Sequence, residues 1–113
     1  MTNDRDESVD LRPGTLDLLV LRILSEEPLH GYGIARRIES LSRNAFRVEQ
    51  GSLYPALYRL ERDGLVRPTW GTSETGRRVK VFELTRAGER KAEAELASWD
   101  RFVQAVQRVV RAE

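Results

Sequence analysis

The stretch GSLYPALYRLERDGLV, residues 51–66, has the pattern of a helix with one apolar side and a marked end. Three leucines recur at helical spacing and are expected to be buried: Leu53, Leu57 and Leu60. Ser52 is the predicted N-cap, and Pro55 is predicted in the first turn, where a missing N–H costs nothing. Gly64 stands where a left-handed residue commonly ends a helix. The stretch therefore predicts a short helix with one side left for solvent or a partner.

Two strands are predicted after this helix, because apolar and polar residues alternate over residues 65–70 and 77–84. The segment between them, residues 71–76, is polar and glycine-containing, which predicts the turn of a hairpin. Thr85 then follows as the expected cap of a long last helix.

Two helices and a very short strand are predicted before residue 51. Thr15 is the expected cap of the first helix, which Pro28 ends. His30 stands in a turn before the second helix, where a lone histidine more often caps than catalyses. Residues 46–48 alternate like a short strand. Three helices followed by a hairpin is the order of a winged helix-turn-helix domain, in which the hairpin is the wing.

The last helix carries an apolar seam with the 3, 4, 3, 4 spacing of a heptad repeat. The seam consists of Leu96, Trp99, Val103, Val106 and Val110. Phe102 and Val109 add a second stripe beside it. Such a seam predicts pairing with the same helix of a second copy, so the chain is expected to form a homodimer. The alternative is a monomer whose last helix covers its own core.

These elements predict a mainly α fold with a small β-hairpin: a winged helix-turn-helix with a long C-terminal dimerisation helix. A disordered acidic tail is expected over residues 1–11, and the DNA-binding domain over residues 12–84. The dimerisation helix is expected over residues 85–113. In this architecture the third helix enters the major groove of double-stranded DNA.

Positive charge is concentrated in the middle of the chain, although the net charge is only +1. Residues 28–82 contain ten Lys or Arg and five Asp or Glu, whereas the flanking residues together carry an acidic excess. A basic middle is typical of a DNA-binding domain, although an excess of surface arginine also occurs without that function.

The outward side of the third helix and the wing hold the predicted DNA contacts. On the helix they are Ser52, Tyr54, Pro55, Arg59 and Arg62. On the wing they are Arg77, Arg78 and Lys80. Ser52 suits a phosphate oxygen, and Arg59 is long enough for a base edge or a phosphate. Two alternatives stay open. Tyr54 and Tyr58 are half-buried packing residues, with Tyr58 mostly structural, and the wing charges pair with Glu74 or Glu83.

Composition disfavours several other function classes. The chain has no cysteine, which excludes disulfides, thiolate zinc sites and cysteine nucleophiles. It has one histidine, scattered acidic residues and no phosphate-binding glycine loop, so no catalysis, metal site or cofactor is expected. Without a signal-like or membrane-spanning apolar run, a cytoplasmic protein is expected. The main rival to DNA binding is a winged-helix module that binds another protein.

Three motifs follow one another along the chain: HGYGI at residues 30–34, the stretch at residues 51–66, and RR at residues 77–78 followed by FELTRAG at residues 82–88. Together they resemble the PadR family of transcriptional regulators. The family has approximately HGYEI, G(S/T)LYPALxRLExxGLI and RRxYxLTxxG at these places. Gly33 replaces the usual Glu or Gln, and Val81 replaces a frequent aromatic. Neither departure is expected to change the fold.

The resemblance implies a dimer that binds a pseudo-palindromic operator, usually as a repressor. It places DNA-facing residues at Tyr32, Ser52, Tyr54, Pro55, Arg59, Arg77 and Arg78. Some compact members of the family bind flat aromatic compounds between dimer-related aromatic side chains. Trp99 and Phe102 are therefore a candidate pocket for a small aromatic effector, although an aromatic residue at a heptad position is more often plain interface packing.

Overall fold

Four helices and a three-stranded antiparallel sheet form the described part of the chain, Val9 and residues 11–113, in this computed structural model. The helices are α1 (Pro13–Leu24), α2 (Gly31–Leu41), α3 (Gln50–Arg62) and α4 (Arg86–Val110). The strands are β1 (Leu29–His30), β2 (Val66–Thr72) and β3 (Arg78–Leu84), in the spatial order β1-β3-β2. This is the predicted winged helix-turn-helix arrangement, with β2 and β3 as the wing.

The core forms around α1, which is apolar on several sides and contacts α2, α3, α4 and β3. Five buried residues come from α1: Leu16, Val20, Leu21, Ile23 and Leu24. The others are Ile34, Ile38, Val48, Leu53, Ala56, Leu57, Leu60, Val66, Phe82 and Ala92. Burial of this apolar surface is the main stabilising contribution to a domain of this size.

The end of α3 confirms the prediction made from Gly64. This residue has a φ of +75°, in the left-handed region that glycine adopts without strain. The Leu65 N–H donates to the Leu60 carbonyl, and the Gly64 N–H donates to the Glu61 carbonyl. These are the two hydrogen bonds of a Schellman motif, which satisfies carbonyls that the helix end would otherwise leave unpaired.

Two predicted N-caps are also confirmed. At the start of α2, Nδ1 of His30 accepts a hydrogen bond from the Gly33 N–H at 3.0 Å, so the single histidine has a structural role. At the start of α4, Oγ1 of Thr85 accepts from the Gly88 N–H at 3.0 Å. Both caps satisfy a backbone donor that has no partner within its helix.

The start of α1 differs from the prediction. Arg12, and not Thr15, is the N-cap, and it makes no side-chain capping bond. The Leu16 N–H donates to the Arg12 carbonyl at 2.9 Å. The helical hydrogen bonds therefore begin about one turn before Thr15, the predicted cap. The helix also ends at Leu24, earlier than the predicted stop at Pro28.

The start of α3 is also earlier than predicted. Glu49 is the N-cap, and its carbonyl accepts from the N–H groups of both Ser52 and Leu53. Ser52 therefore lies in the first turn and does not cap the helix. For the same reason Pro55 is the sixth residue of α3, inside the helix rather than in its first turn.

The predicted strand over residues 46–48 is wrong. The Val48 N–H donates to the Glu39 carboxylate at 2.9 Å, and the Phe46 N–H donates to Oγ of Ser42 at 3.0 Å. The side chains of Glu39 and Ser42 thus accept from the N–H groups that would otherwise be available to a neighbouring strand. The third strand of the sheet is β1, which pairs Leu29 with Phe82 of β3.

The acidic tail predicted over residues 1–11 falls mostly outside the described residues. At its end, the Val9 N–H donates to the Ala45 carbonyl at 2.9 Å, and Leu11 packs against the core. These two residues are therefore attached to the domain.

The wing and α4 meet at a tight joint. Thr85 donates its hydroxyl to the Gly64 carbonyl at 2.6 Å and its N–H to the Leu65 carbonyl at 3.0 Å. Gly88 is buried one turn into α4, and a Cβ added there would overlap the Leu65 carbonyl. A glycine is required at this position because two backbone segments approach each other too closely for a side chain.

We expect Gly88→Ala to lower the free energy of unfolding by about 2 kcal/mol or more, because the added methyl group must displace the backbone of Leu65, just before β2, or that of α4. Urea denaturation measures the change in stability. The matched control is Gly14→Ala in α1, where a Cβ meets no atom within 4 Å. The control should be neutral or more stable, and equal stability of both variants would contradict the proposed close approach.

Candidate nucleic-acid interface

The outward side of α3 is a single line of exposed residues. Gly51, Pro55, Tyr58 and Arg62 follow one another at helical spacing, opposite the buried Leu53, Ala56, Leu57 and Leu60. Ser52 is exposed beside this line. Tyr54 and Arg59 lie on the two flanks of the helix and are half-buried. The sequence analysis predicted that Pro55, Arg59 and Arg62 share one outward face. The structure keeps Pro55 and Arg62 there and turns Arg59 to the flank.

Arg59 is joined to α1 by an ion pair. Its Nη2 atom donates to Oδ1 of Asp17 at 3.0 Å. Burial raises the pKa of the Asp17 carboxyl above its ordinary value of 3.8, and the charge and hydrogen bond of Arg59 only partly offset that rise. The guanidinium of Arg59 thus orients α3 on α1, and DNA contact would require it to share or leave Asp17.

Tyr54 occupies the opposite flank, against α2. A Cβ added at Gly31 would overlap the Tyr54 hydroxyl, so this glycine makes room for the ring. The rings of Tyr54 and Tyr58 are 6.2 Å apart. Tyr54 therefore packs on α2 while its edge remains at the surface, in agreement with the half-buried alternative.

Tyr58 is more exposed than expected. Its exposed fraction is 53%, and Nζ of Lys80 lies 5.4 Å from its ring centroid. The same ammonium lies 5.5 Å from the ring of Phe82. Tyr58 is therefore exposed rather than half-buried, although its ring still joins α3 to the wing through a cation–π contact.

The wing carries a second cation–π pair, which the sequence analysis missed. The guanidinium of Arg78 lies 4.5 Å from the ring centroid of Trp70, a residue with an exposed fraction of 61%. Strand register could have revealed it, because Trp70 pairs with Lys80 and its neighbour Thr72 pairs with Arg78, on the same face of the hairpin. Arg77 is exposed at the turn before β3.

The wing cations have no acidic partner in the described part of the chain. Glu83, a predicted partner, accepts instead from Nε of Arg67 at 2.8 Å. The alternative in which nearby glutamates neutralise Arg77, Arg78 and Lys80 is therefore not seen among the described residues. Their charge remains available to an anionic partner.

A concave surface lies between α2 and the wing. It has a volume of about 850 Å³ and is lined on one side by Tyr32, Arg36 and Tyr54, and on the other by Arg77 and Lys80. Arg36 lies 5.8 Å from the ring centroid of Tyr32, one helical turn away. Arg36 was not among the predicted contact residues, although its spacing from Tyr32 gave the signal. Four predicted contact residues thus line one concave surface: Tyr32 of α2, Tyr54 of α3, and Arg77 and Lys80 of the wing.

The second half of α4 leaves its apolar side chains exposed. The buried residues of this helix are Gly88 and Ala92, both near its start. Trp99, Phe102, Val106, Val109 and Val110 are exposed, whereas Leu96 and Val103 are half-buried. The monomer alternative requires this half of α4 to cover the core of its own chain, and its exposed side chains do not do so.

A groove of about 470 Å³ lies between α1 and α4 and shares no lining residue with the concave surface between α2 and the wing. It is lined by Arg12, Gly14, Thr15, Leu18, Glu95, Ser98, Trp99 and Phe102. The rings of Trp99 and Phe102 are 5.8 Å apart and tilted by 33°. The two aromatic residues predicted for a ligand pocket therefore do line one groove.

Two searches confined to the described residues bear on other functions. No group of three or more His, Cys, Asp or Glu is placed to hold a metal ion there. Among the helices of those residues, none combines the length and the apolar character needed to cross a membrane.

Comparison with protein families gives one matching model, the transcriptional regulator PadR-like family, over residues 20–94. The transcriptional regulator Rv3488 of Mycobacterium tuberculosis is 36% identical over 86 residues, which cover 71% of this chain and 77% of that protein.

Solved structures of similar proteins have the same fold. A PadR-like transcriptional regulator from Bacillus cereus superposes with a TM-score of 0.78 at 27% identity, covering 88% of this chain and 95% of that one. A PadR family transcriptional regulator from Eggerthella lenta has a TM-score of 0.73 at 31% identity, covering 91% and 88% of the two chains.

The raised pKa of Asp17 gives a pH-dependent prediction. A group whose pKa is raised in the folded state contributes stability at low pH that disappears as the pH rises through the folded pKa. The Asp17→Asn variant should therefore be at least as stable as the wild type at pH 7. The wild type should gain on the variant as the pH falls toward 4.

Urea denaturation of both proteins at pH 7 and at about pH 4.5 measures this difference. The control is Asp100→Asn, an exposed carboxylate on α4. A large drop in stability of Asp17→Asn at pH 7 would mean that the ion pair with Arg59 outweighs the burial of the carboxylate.

Proposed function

The chain belongs to the PadR-like family of transcriptional regulators, and from that premise we propose that it is a repressor that binds a pseudo-palindromic DNA operator as a homodimer. The observation that carries the proposal is the basic surface shared by α2, α3 and the wing. Two wing cations that line it, Arg77 and Lys80, lack acidic partners among the described residues, and Nζ of Lys80 lies 5.4 Å from the ring centroid of Tyr58 on the exposed line of α3. Such a surface suits the charge and shape of a DNA duplex.

The proposed contacts divide by chemistry. Base edges in the major groove would meet the outward line of α3, including Pro55 and Arg62. Phosphates would meet the wing residues Arg77, Arg78 and Lys80, together with the hydroxyl groups of Tyr32, Ser52 and Tyr54. Arg59 remains a proposed contact, with the condition that DNA competes with Asp17 for its guanidinium.

The proposed dimer uses the exposed half of α4. Its apolar residues keep heptad spacing from Leu96 through Trp99, Val103 and Val106 to Val110. A second copy of the same helix is the partner that such a seam fits, because a two-fold interface brings the same surface of both chains together. Pairing would also place two recognition helices about 34 Å apart, one turn of DNA.

A small flat aromatic compound is the proposed effector. The groove beside Trp99 and Phe102 has the volume of a small-molecule site and lies next to the proposed dimer seam. A ligand there would contact α1 and α4 together, so binding could alter the spacing of the two DNA-binding domains.

The rival function, a winged-helix module for a protein partner, has less support on this surface. A protein partner is favoured by a contiguous apolar patch. The exposed line of α3 carries one large aromatic residue, Tyr58, and the exposed Trp70 lies under the guanidinium of Arg78.

The test of DNA binding is a gel shift with the duplex upstream of the chain's own gene, titrated against salt and non-specific competitor. A competitor-resistant shift that weakens with salt is expected. The variant Arg77→Ala with Arg78→Ala should weaken binding to all duplexes. The slope of log K against log salt should fall by about 0.9 for each phosphate that the variant no longer neutralises.

The matched control removes two exposed arginines of α4, Arg90→Ala with Arg101→Ala, and should keep the wild-type slope. An unchanged slope in the wing variant would exclude wing contacts to phosphate. Failure of the wild type to bind any duplex at low salt would exclude the proposed function.

The dimer seam is tested by Val106→Asp with Val110→Asp. Both residues are exposed in the single chain, so the charges should leave the fold intact while preventing apolar pairing. Sedimentation should show a monomer with a wild-type circular dichroism spectrum. The control, Ala97→Asp with Gln104→Asp, adds the same charge on the opposite side of α4 and should remain dimeric. A dimer that survives in the seam variant would place the interface elsewhere.

A further inference from the structure

Gly51 and Pro55 are the first two residues of the outward line of α3. Both residues are exposed, and they lie one helical turn apart in the half of the helix that precedes Tyr58 and Arg62. Neither has a polar side chain. The start of the exposed line of α3 therefore offers a partner main-chain atoms and the apolar ring of Pro55, but no polar side chain.

The glycine at position 51 is not required by the fold. Its φ is not in the left-handed region, and a Cβ added there would meet no atom within 4 Å. Gly31 and Gly88 differ, because a Cβ at either would overlap a neighbouring group. Alanine is the better helix former, so the fold alone would favour a side chain at position 51.

Pro55 leaves the Gly51 carbonyl without its helical partner. In an α-helix this carbonyl would accept from the N–H of the fourth following residue, which here is a proline without an N–H. The proline ring also crowds the carbonyl four residues before it. Because Gly51 is exposed and has no side chain, its main chain is accessible on the outward line, and the fourth following residue offers its carbonyl no N–H.

We propose that the Gly51 carbonyl reads a base pair: it accepts a hydrogen bond from the exocyclic amino group of adenine or cytosine in the major groove. These amino groups are the donors that base edges present there. The absent side chain at Gly51 lets the helix backbone approach the base pair, and Pro55 supplies no N–H that would occupy the carbonyl. The inference rests on the proposed function and adds a contact made by the main chain.

The first test is Gly51→Ala, which has opposite effects on stability and on binding. The melting temperature should rise, because alanine favours the helix. Affinity for the operator, selected by the wild type from a pool of random duplexes, should fall about tenfold, because a methyl group separates helix and base pair. Affinity for a non-specific duplex should not change.

The control is Gln104→Ala, an uncharged substitution at an exposed position of α4 that lies outside both the proposed seam and the groove beside Trp99. It should keep the wild-type operator affinity. Unchanged operator affinity in Gly51→Ala would overturn the proposal. A uniform decrease in affinity for all duplexes with a smaller salt slope would also overturn it, since that result indicates a phosphate contact.

The second test is Pro55→Ala, which restores the missing N–H and gives the carbonyl an internal partner. Duplex selection with this variant should lose the preference at one base-pair position in each half-site. Deleting the amino group of that base should weaken binding of the wild type about tenfold and leave the variant unaffected.

An equal decrease in affinity for wild type and variant would overturn the assignment to the Gly51 carbonyl. The outcome for the proposed function is separate, because it depends on the wild type alone. If the wild type selects no sequence, the repressor function fails, and this inference fails with it. If the wild type is specific and both variants match it, the repressor function stands and only the carbonyl contact is excluded.

Discussion

The position of the recognition helix depends on the packing of α1 in the centre of the fold. α1 contacts α2, α3, α4 and β3, and it contributes five of the buried apolar residues. The ion pair from Asp17 to Arg59 adds a directional link between α1 and α3. Because α1 also lies against α4, it connects the proposed DNA-binding surface to the proposed dimer seam. A shift of α4 against α1, as a ligand in the groove beside Trp99 would cause, would therefore reach the recognition helix by direct contact.

The three sides of α3 have separate tasks. Its buried side supplies core residues, and its flanks hold it in place: Tyr54 against Gly31 of α2, and Arg59 against Asp17 of α1. What remains for a ligand is a narrow line that contains few polar side chains. Phosphate contacts from the wing would supply much of the affinity on such a surface, whereas sequence preference would depend on a small number of groups, including main-chain atoms.

Local features of the fold could be predicted from the sequence, whereas its long-range contacts could not. The Gly64 helix end and the caps at His30 and Thr85 were predictable, because each depends on residues a few positions away. β1 and the Arg59 ion pair bring together residues distant in sequence. In the candidate site, the basic wing was predicted, but the outward side of α3 is rotated about the helix axis relative to the predicted one. Three leucines set the predicted buried side, and burial of the small Ala56 turns Arg59 to the flank and Tyr58 outward.

The low net charge of +1 makes the proposed dimer important for DNA binding. The acidic excess outside residues 28–82 offsets the basic surface at long range, so attraction to DNA depends on close contacts rather than on the overall field. Each chain offers a wing with three cations that lack acidic partners among the described residues. Two chains joined through α4 would double these interactions, and binding of the first domain would raise the effective concentration of the second at its half-site. The apolar residues of α4 would thus contribute to operator affinity without touching DNA.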